Sequence, residues 1–164
     1  MSHSVPEWAR FIEPDPSQPV HWRLRRAKEN DHPFCERLYV MTMEPLLRPL
    51  DAWKPADMLE KLRSSFRLSD VLVVVADQAD AGWLQVTDDG SGLILNQMHL
   101  LPQWRARGIG SSILDGLIAY ARHHRRRIAL SVAHNNRARA LYERKGFSQV
   151  AREDWRLDLE FVPR

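Results

Sequence analysis

The sequence predicts an α/β domain in which strands pack with helices on both faces, and three observations lead there. Val71 to Ala76 is an unbroken, mostly β-branched run suited to a buried strand. Gly82 to Thr87 and Leu93 to Leu101 follow it across the turn-forming residues Asp88 to Gly92, as an antiparallel meander does. Ile109, Ile113, Leu114, Leu117, Ile118 and Ala121 then trace one face of a long helix. Strands and helices that alternate in this way pack as layers.

The other elements follow in order. Residues 1–20 hold Pro6, Pro14, Pro16 and Pro19 among mixed charges and read as a flexible N-terminal extension, leaving 21–164 as the domain. The 164 residues, 44% of them hydrophobic, suffice for one core and are few for two ordinary domains. His21 to Arg26 alternates weakly as a strand, and Asn30 or Asp31 caps a helix on which Phe34, Leu38 and Met41 repeat at helical spacing. Pro45, Pro49 and Trp53 make Met43 to Lys54 a loop of the kind that often faces substrate. A second helix follows, with Met58, Leu59, Leu62 and Phe66 on one side. Beyond the long helix come a strand at Ile128 to Val132, a short helix at Ala138, Leu141 and Tyr142 closed by Gly146, and strands at Phe147 to Ala151 and Trp155 to Phe161. The order is βααβββαβαββ, without an internal repeat.

Composition excludes several classes. A single cysteine, Cys35, leaves no internal disulfide and no zinc framework; it reads as a core thiol and fits a reducing cytoplasm. The N-terminus lacks the basic start and apolar run of a signal peptide, and no apolar stretch nears the roughly 20 residues of a membrane span, so a soluble, cytoplasmic protein without a membrane partner is expected. A formal charge of +3 and a pI near 9.3 favour anions without choosing among nucleic acid, acidic membranes and phosphorylated cofactors. The basic run Arg122 to Arg127 reads as cations placed at a helix C-terminus. Its alternative reading, contact with nucleic-acid phosphates, is weakened by the lack of interleaved aromatics for base stacking.

The segment Arg105-Ala106-Arg107-Gly108-Ile109-Gly110 sits between a predicted strand and the start of the long helix. Glycines there let backbone approach a ligand, while free N–H groups and the helix dipole attract phosphate. The spacing lacks the three glycines of a dinucleotide fingerprint, and no Gly-Lys-Ser or Gly-Lys-Thr is present. A tight turn with close packing explains a lone Gly-x-Gly as well.

Arg105-x-x-Gly108-x-Gly110 resembles the Q/R-x-x-G-x-G/A signature of the GNAT N-acetyltransferases. Downstream, Asn136-x-Ala138-x-x-Leu141-Tyr142-x-x-x-Gly146-Phe147 resembles the second acetyl-CoA motif of that family, and the element order over residues 21–162 agrees. The resemblance implies a mixed, mostly antiparallel sheet and acetyl-CoA as co-substrate, with no metal. Amides of Arg107, Gly108, Ile109, Gly110 and Ser111 would hold the cofactor pyrophosphate, with Arg105 at the mouth of that loop. Main chain near Leu100 would pair with the pantetheine arm in a slot where two strands part. Either Asn135 or Asn136 fits the second motif, Asn136 better, and either also suits a helix cap.

The same resemblance gives Tyr142 the task of protonating the departing thiolate; packing as an aromatic anchor is its alternative. His99 stands where similar sequences carry a glutamate base, and with an ordinary pKa of about 6.5 it could take the amine proton directly or through water, with activity rising through roughly pH 6 to 8. A structural histidine is the competing reading, and Glu44 is the reserve base. Ile128-Ala129-Leu130-Ser131-Val132 lacks the glutamate of a branch acting on ribosomal protein N-termini, which sets the chain apart from that branch. The expected reaction is direct acetyl transfer to a primary amine of a small molecule or peptide, with the oxyanion held by an N–H near Leu100. Trp53 lines the acceptor pocket or anchors the second helix. The rival readings are a catalytically silent acetyl-CoA-binding regulator and an RNA-associated acetyltransferase; a homodimer is compatible with the family.

Overall fold

A computed structural model describes residues 4–164. Seven strands form one sheet, β1 (Trp22–Arg26), β2 (Val71–Ala76), β3 (Ala79–Asp88), β4 (Gly92–Leu100), β5 (Arg127–Ala133), β6 (Ser148–Glu153) and β7 (Arg156–Phe161), in the order β1-β2-β3-β4-β5-β7-β6. All neighbours are antiparallel except β4 and β5, which run parallel. The helices are α1 (His32–Leu47), α2 (Pro55–Ser65), α3 (Ile109–His124) and α4 (Ala138–Arg144), so the chain reads βααβββαβαββ as the sequence predicts.

Period-two alternation sends side chains of each inner strand to opposite faces. Leu72, Val74, Leu84 and Val86 meet Ile109, Ile113 and Leu117 of α3 in the larger core. Val71 and Trp83 meet Cys35, Leu38 and Tyr39 of α1 and Leu62 of α2 on the other face. Cys35 is 1% exposed, and burial pushes its thiol up to about 12, so it is an inert core group.

Two expectations change. α1 runs through Pro45 to Leu47, and a 3-10 turn at Arg48–Leu50 continues it, so the expected loop over Met43 to Lys54 shrinks to its last few residues. Proline in the last turn of α1 removes one N–H but leaves the preceding turns intact, whereas it would disrupt a helix centre. The expected flexible extension is also packed where it is described: Trp8, Ala9, Ile12 and Val20 are buried in the larger core, and the domain therefore starts ahead of residue 21. Residues 1–3 of that expected extension lie outside the described residues.

The Arg25 guanidinium on β1 holds Asp31 at the start of α1 through two bonds of 2.8 Å and reaches Asp80 at 3.2 Å. Asp31 also accepts the Lys28 N–H at 2.7 Å, so it ties the β1–α1 connection rather than capping α1 with its side chain. Hydrogen bonding from Arg25 holds the Asp31 carboxyl below the usual carboxylate range. That stabilisation is present above the unfolded value near pH 4 and is lost as pH falls through the lowered folded value. Asp31→Asn should therefore cost about 1.5–3 kcal/mol at pH 7, as loss of hydrogen bonds to a charged group does. Urea titrations should show that gap closing as the pH falls through the lowered folded value, since both chains then lack the charge.

Candidate active site

The parallel pairing of β4 with β5 covers only Gly92↔Arg127 to Leu95↔Leu130. Past it, β4 keeps β3 and β5 keeps β7, so the sheet opens as a wedge. Its cause is local. Gln97 pairs with Gln85 and Leu95 with Val86, leaving Asn96 as an extra residue in β4; such a bulge bends its strand.

The wedge holds a cleft of about 190 Å³ bounded by Leu95–His99, Leu130–Ala133, Asn136, Tyr142 and α1 residues Tyr39, Thr42 and Met43. Register fixes what β4 presents to it. Leu101 N–H bonds to Ala81 C=O while Leu100 pairs with Gly82, so the Gly82–Leu100 and Leu84–Met98 pairs are the non-bonded kind. The N–H and C=O of Met98 and Leu100 therefore face away from β3, toward the wedge. An extended amide chain fits such an edge.

Immediately after β4, a 3-10 turn at Pro102–Trp104 leads into a loop with left-handed residues at Ala106 (φ 58°) and Gly108 (φ 88°), and Gly108 is the N-cap of α3. Alternating hands of backbone turn successive N–H groups to one side, making an anion cradle at a helix start. No side chain caps α3, so the first N–H groups, at Ile109, Gly110 and Ser111, are free for a ligand. A β-carbon at Gly108 would lie 1.9 Å from Gln18 Nε2, whereas one at Gly110 would meet only Met98 Cε at 3.9 Å. The left-handed backbone at 108 favours glycine, and position 110 has room for alanine. The cradle and the edge of β4 lie in succession along the chain and together fit a pyrophosphate with a peptide-like arm.

Arg105 turns back from this loop: its Nε donates to Leu100 C=O at 2.9 Å and its guanidinium reaches Thr42 Oγ1 at 3.4 Å. It braces the wedge and α1 rather than lying in the cradle. Arg107 stacks on Trp104 at 5.3 Å. Ile109 is fully buried and can offer only its backbone.

The two asparagines separate. Asn136 Oδ1 accepts the Ala138 N–H at 2.9 Å, capping α4, and Asn136 lines the cleft. Asn135 Nδ2 instead donates to Leu46 C=O at 2.9 Å and ties the approach to α4 to the end of α1. Tyr142 stands in the cleft wall, 7% exposed, with its ring against Phe147 at 5.7 Å. Burial pushes its hydroxyl up to about 12, so it stays protonated at neutral pH.

His99 differs from the expected base. It is 6% exposed, set between Tyr39 and Trp83 with centroids 5.6 and 5.3 Å away. Its Nε2 lies 2.6 Å from Gln97 Oε1, which requires the proton on Nε2, and its buried Nδ1 has no partner. Burial, then the nearby Arg105 charge, lowers its pKa to about 3, so it is neutral at pH 6 to 8 and does not titrate there. Glu44 is bound to Arg48 at 2.8 Å and is not among the cleft residues. Trp53 lies outside the residues that line the clefts next to it.

A second groove, about 590 Å³, adjoins the first at Trp155. Leu50, Asp51, Lys54, Asp57, Lys61 and Asp154 are among its walls. Sequence reasoning missed the β6–β7 turn at Asp154 and Trp155, which reads as an ordinary surface turn until β7 is placed beside β5. The basic run is largely engaged: Arg126 pairs with Asp88 at 2.8 Å, Arg127 with Glu160 at 3.8 Å, and Arg122 lies over Phe161 at 5.5 Å. Among the described residues, no cluster of three or more potential ligands could hold a metal ion, and no helix is long and apolar enough to cross a membrane.

A histidine neutral in the fold but protonated when unfolded makes stability fall with acidity, between its ordinary pKa of about 6.5 and the folded value, by about 1.4 kcal/mol per pH unit. His99→Gln removes that proton uptake. Urea unfolding from pH 6 to 4.5 should show the wild type losing stability faster than the variant by about that slope; parallel curves would mean that His99 titrates normally in the fold.

The geometry has solved counterparts. PaiA N-acetyltransferase from Thermoplasma acidophilum, in complex with coenzyme A, superposes with a TM-score of 0.68 at 13% identity, covering 87% of this chain and 99% of that one. PH1933 from Pyrococcus horikoshii gives 0.68 at 15%, covering 88% and 99%. A GCN5-related N-acetyltransferase from Rhodopseudomonas palustris gives 0.62 at 18%, covering 85% and 94%. No curated protein sequence matches the chain. The family model described as an acetyltransferase (GNAT) domain matches residues 67–149, just over half of the chain, from ahead of β2 into β6. With that match lying across the wedge, the cradle and the α4 motif, the chain belongs to the GNAT acetyltransferase family.

Proposed function

We propose that this protein transfers the acetyl group of acetyl-CoA directly to a primary amine of a small molecule or peptide. The observation that carries the reading is the continuity of the wedge with the cradle: the Met98 N–H and C=O and the Leu100 N–H, which have no partner strand, lead into free amides at the start of α3. Gly108 to Ser111 would hold the diphosphate, and Met98 and Leu100 the pantetheine amides. Bound acetyl-CoA supplies an activated acyl group and a thiolate leaving group. Of the Met98 and Leu100 N–H groups turned to the wedge, one pairs with the arm and the other is available to an oxyanion.

Tyr142 donates a hydrogen bond to the departing thiolate. Its hydroxyl, at about 12, is a weaker acid than a thiol of pKa about 8.5, so the proton stays largely on oxygen and the tyrosine works as a fixed dipole. His99 packs the wall with its neutral ring and does not serve as the expected base. The amine loses its proton to water, because the cleft presents no side chain that titrates near neutrality: Tyr39, like Tyr142, is raised to about 12 and His99 is lowered to about 3.

The acceptor enters along the groove at Trp155. Asp51, Asp57, Asp154, Lys54 and Lys61 have no ion-pair partner among the described salt bridges, which favours a charged, polar acceptor over an apolar one. The engaged state of Arg126 and Arg127 argues against an RNA acceptor.

Three outcomes test the reading. Calorimetry should give micromolar acetyl-CoA binding that Gly108→Trp abolishes in a folded variant; absence of binding to the folded wild type would refute the proposal. Tyr142→Phe should lower kcat by about tenfold to a thousandfold at unchanged acetyl-CoA affinity, as loss of one hydrogen-bond donor to developing charge does. Across an amine panel, the pH at which kcat/KM rises should follow the pKa of each acceptor, about 8 for α-amines and about 10.4 for lysine-like amines. A common rise near pH 6.5 for all acceptors would restore a histidine base.

A further inference from the structure

Residues 7–18 run the length of α3 from its C-terminal end to its start. Glu7 lies 3.3 Å from His124 Nε2, and Phe11 meets Tyr120 edge-on at 5.4 Å. Ile12 crosses Gly116, where a β-carbon would fall 2.6 Å from Ile12 Cα and 2.7 Å from Phe11 C=O. Gln18 lands on Gly108. The glycine notch at 116 sets the register of this strap, because only a residue without a side chain lets the two backbones approach so closely.

A tight turn aims Gln18. Its N–H bonds to Asp15 C=O at 3.1 Å, and Asp15 Oδ1 accepts the Ser17 N–H at 2.9 Å. Pro14, Pro16 and Pro19 restrict the backbone around that turn. The whole side-chain amide then lies over Gly108: the β-carbon position there is 1.9 Å from Nε2 and 2.6 Å from Oε1. Gln18 Oε1 is buried without a hydrogen-bond partner. A buried acceptor left unpaired is costly, and such groups call for an explanation.

We propose that Gln18 is part of the cofactor diphosphate site, donating its side-chain N–H to the phosphate oxygens held by the start of α3. This rests on the acetyl-CoA reading above and extends it to a segment that the family match, beginning at residue 67, does not include. A neutral amide suits the position: it adds a donor beside an anion without a charge of its own, and no bond to Oε1 opposes its turning over. The strap also carries Glu13 and Asp15, which with Gln18, Ser111, Ser112 and Asp115 border a hollow of about 370 Å³. Three carboxylates make that hollow unsuited to phosphate, so Gln18, which stands between the hollow and Gly108, would meet the anion on its Gly108 side.

The test compares Gln18→Ala and Gln18→Glu in the full-length protein, with coenzyme A binding by calorimetry and turnover of acetyl-CoA against S-acetylpantetheine, which lacks the diphosphate. Gln18→Ala should weaken coenzyme A by about threefold to tenfold, the worth of one hydrogen bond. The isosteric Gln18→Glu should weaken it further, and more at low salt, because a carboxylate then faces the diphosphate. Neither change should alter kcat/KM for S-acetylpantetheine. Unchanged coenzyme A affinity in both variants, or equal losses with both thioesters, would reduce Gln18 to a packing group and overturn the assignment. A folded wild type that binds no coenzyme A would overturn the acetyltransferase reading as well, so the two failures are distinguishable.

Discussion

Four residue pairs, Gly92 to Leu95 against Arg127 to Leu130, join the two halves of the sheet, and their limited extent governs the rest of the molecule. Pairing carried on as far as Met98 and Leu100 would close the wedge and satisfy the β4 edge internally. One pair fewer would weaken the backbone link between strands β1–β4 and strands β5–β7. The extra residue at Asn96 sets the point of parting, since it bends β4 while leaving β4 bonded to β3. Unpaired backbone groups, ordinarily a liability at a strand edge, are on the proposed reading the recognition surface.

The side chains around the wedge serve this backbone arrangement. Arg105 satisfies the Leu100 carbonyl and reaches α1, so the loop after β4 and the helix across the cleft are linked by one guanidinium. Asn136 caps α4 and Asn135 fastens its approach to Leu46, which sets Tyr142 in the opposite wall. Burial then fixes protonation: it keeps the Tyr142 hydroxyl protonated and the His99 ring neutral. The same low-polarity surroundings that make a hydrogen-bond donor effective deny the cleft a histidine base.

The element order and the glycine-bearing loop ahead of α3 were legible because each rests on local signals: periodicity for α3, β-branched runs for β2, and glycine at a strand-to-helix turn. Where tertiary packing decides, the sequence misleads. Trp8, Ile12 and Val20 are too sparse among prolines to show a periodic face, yet each fills a site in the core. Pro45 reads as a helix breaker and sits harmlessly in a last turn. His99 looks like a base by position; its departure comes from Trp83 and Tyr39, which lie on other elements, and from Gln97, two residues earlier on the same strand face. That last partner could have been found from alternation alone.

The most direct measurement is amide hydrogen exchange, resolved by residue, with and without acetyl-CoA. Met98 and Leu100 N–H groups face the wedge and should exchange slowly only when the cofactor arm pairs with them, whereas the His99 N–H, in the bonded register with Trp83, should be slow in both states. Protection gained at Met98 and Leu100 is the predicted result. Acetyl-CoA binding that leaves both amides as exposed as before would contradict the account, because the cofactor would then lie somewhere other than the parted strands.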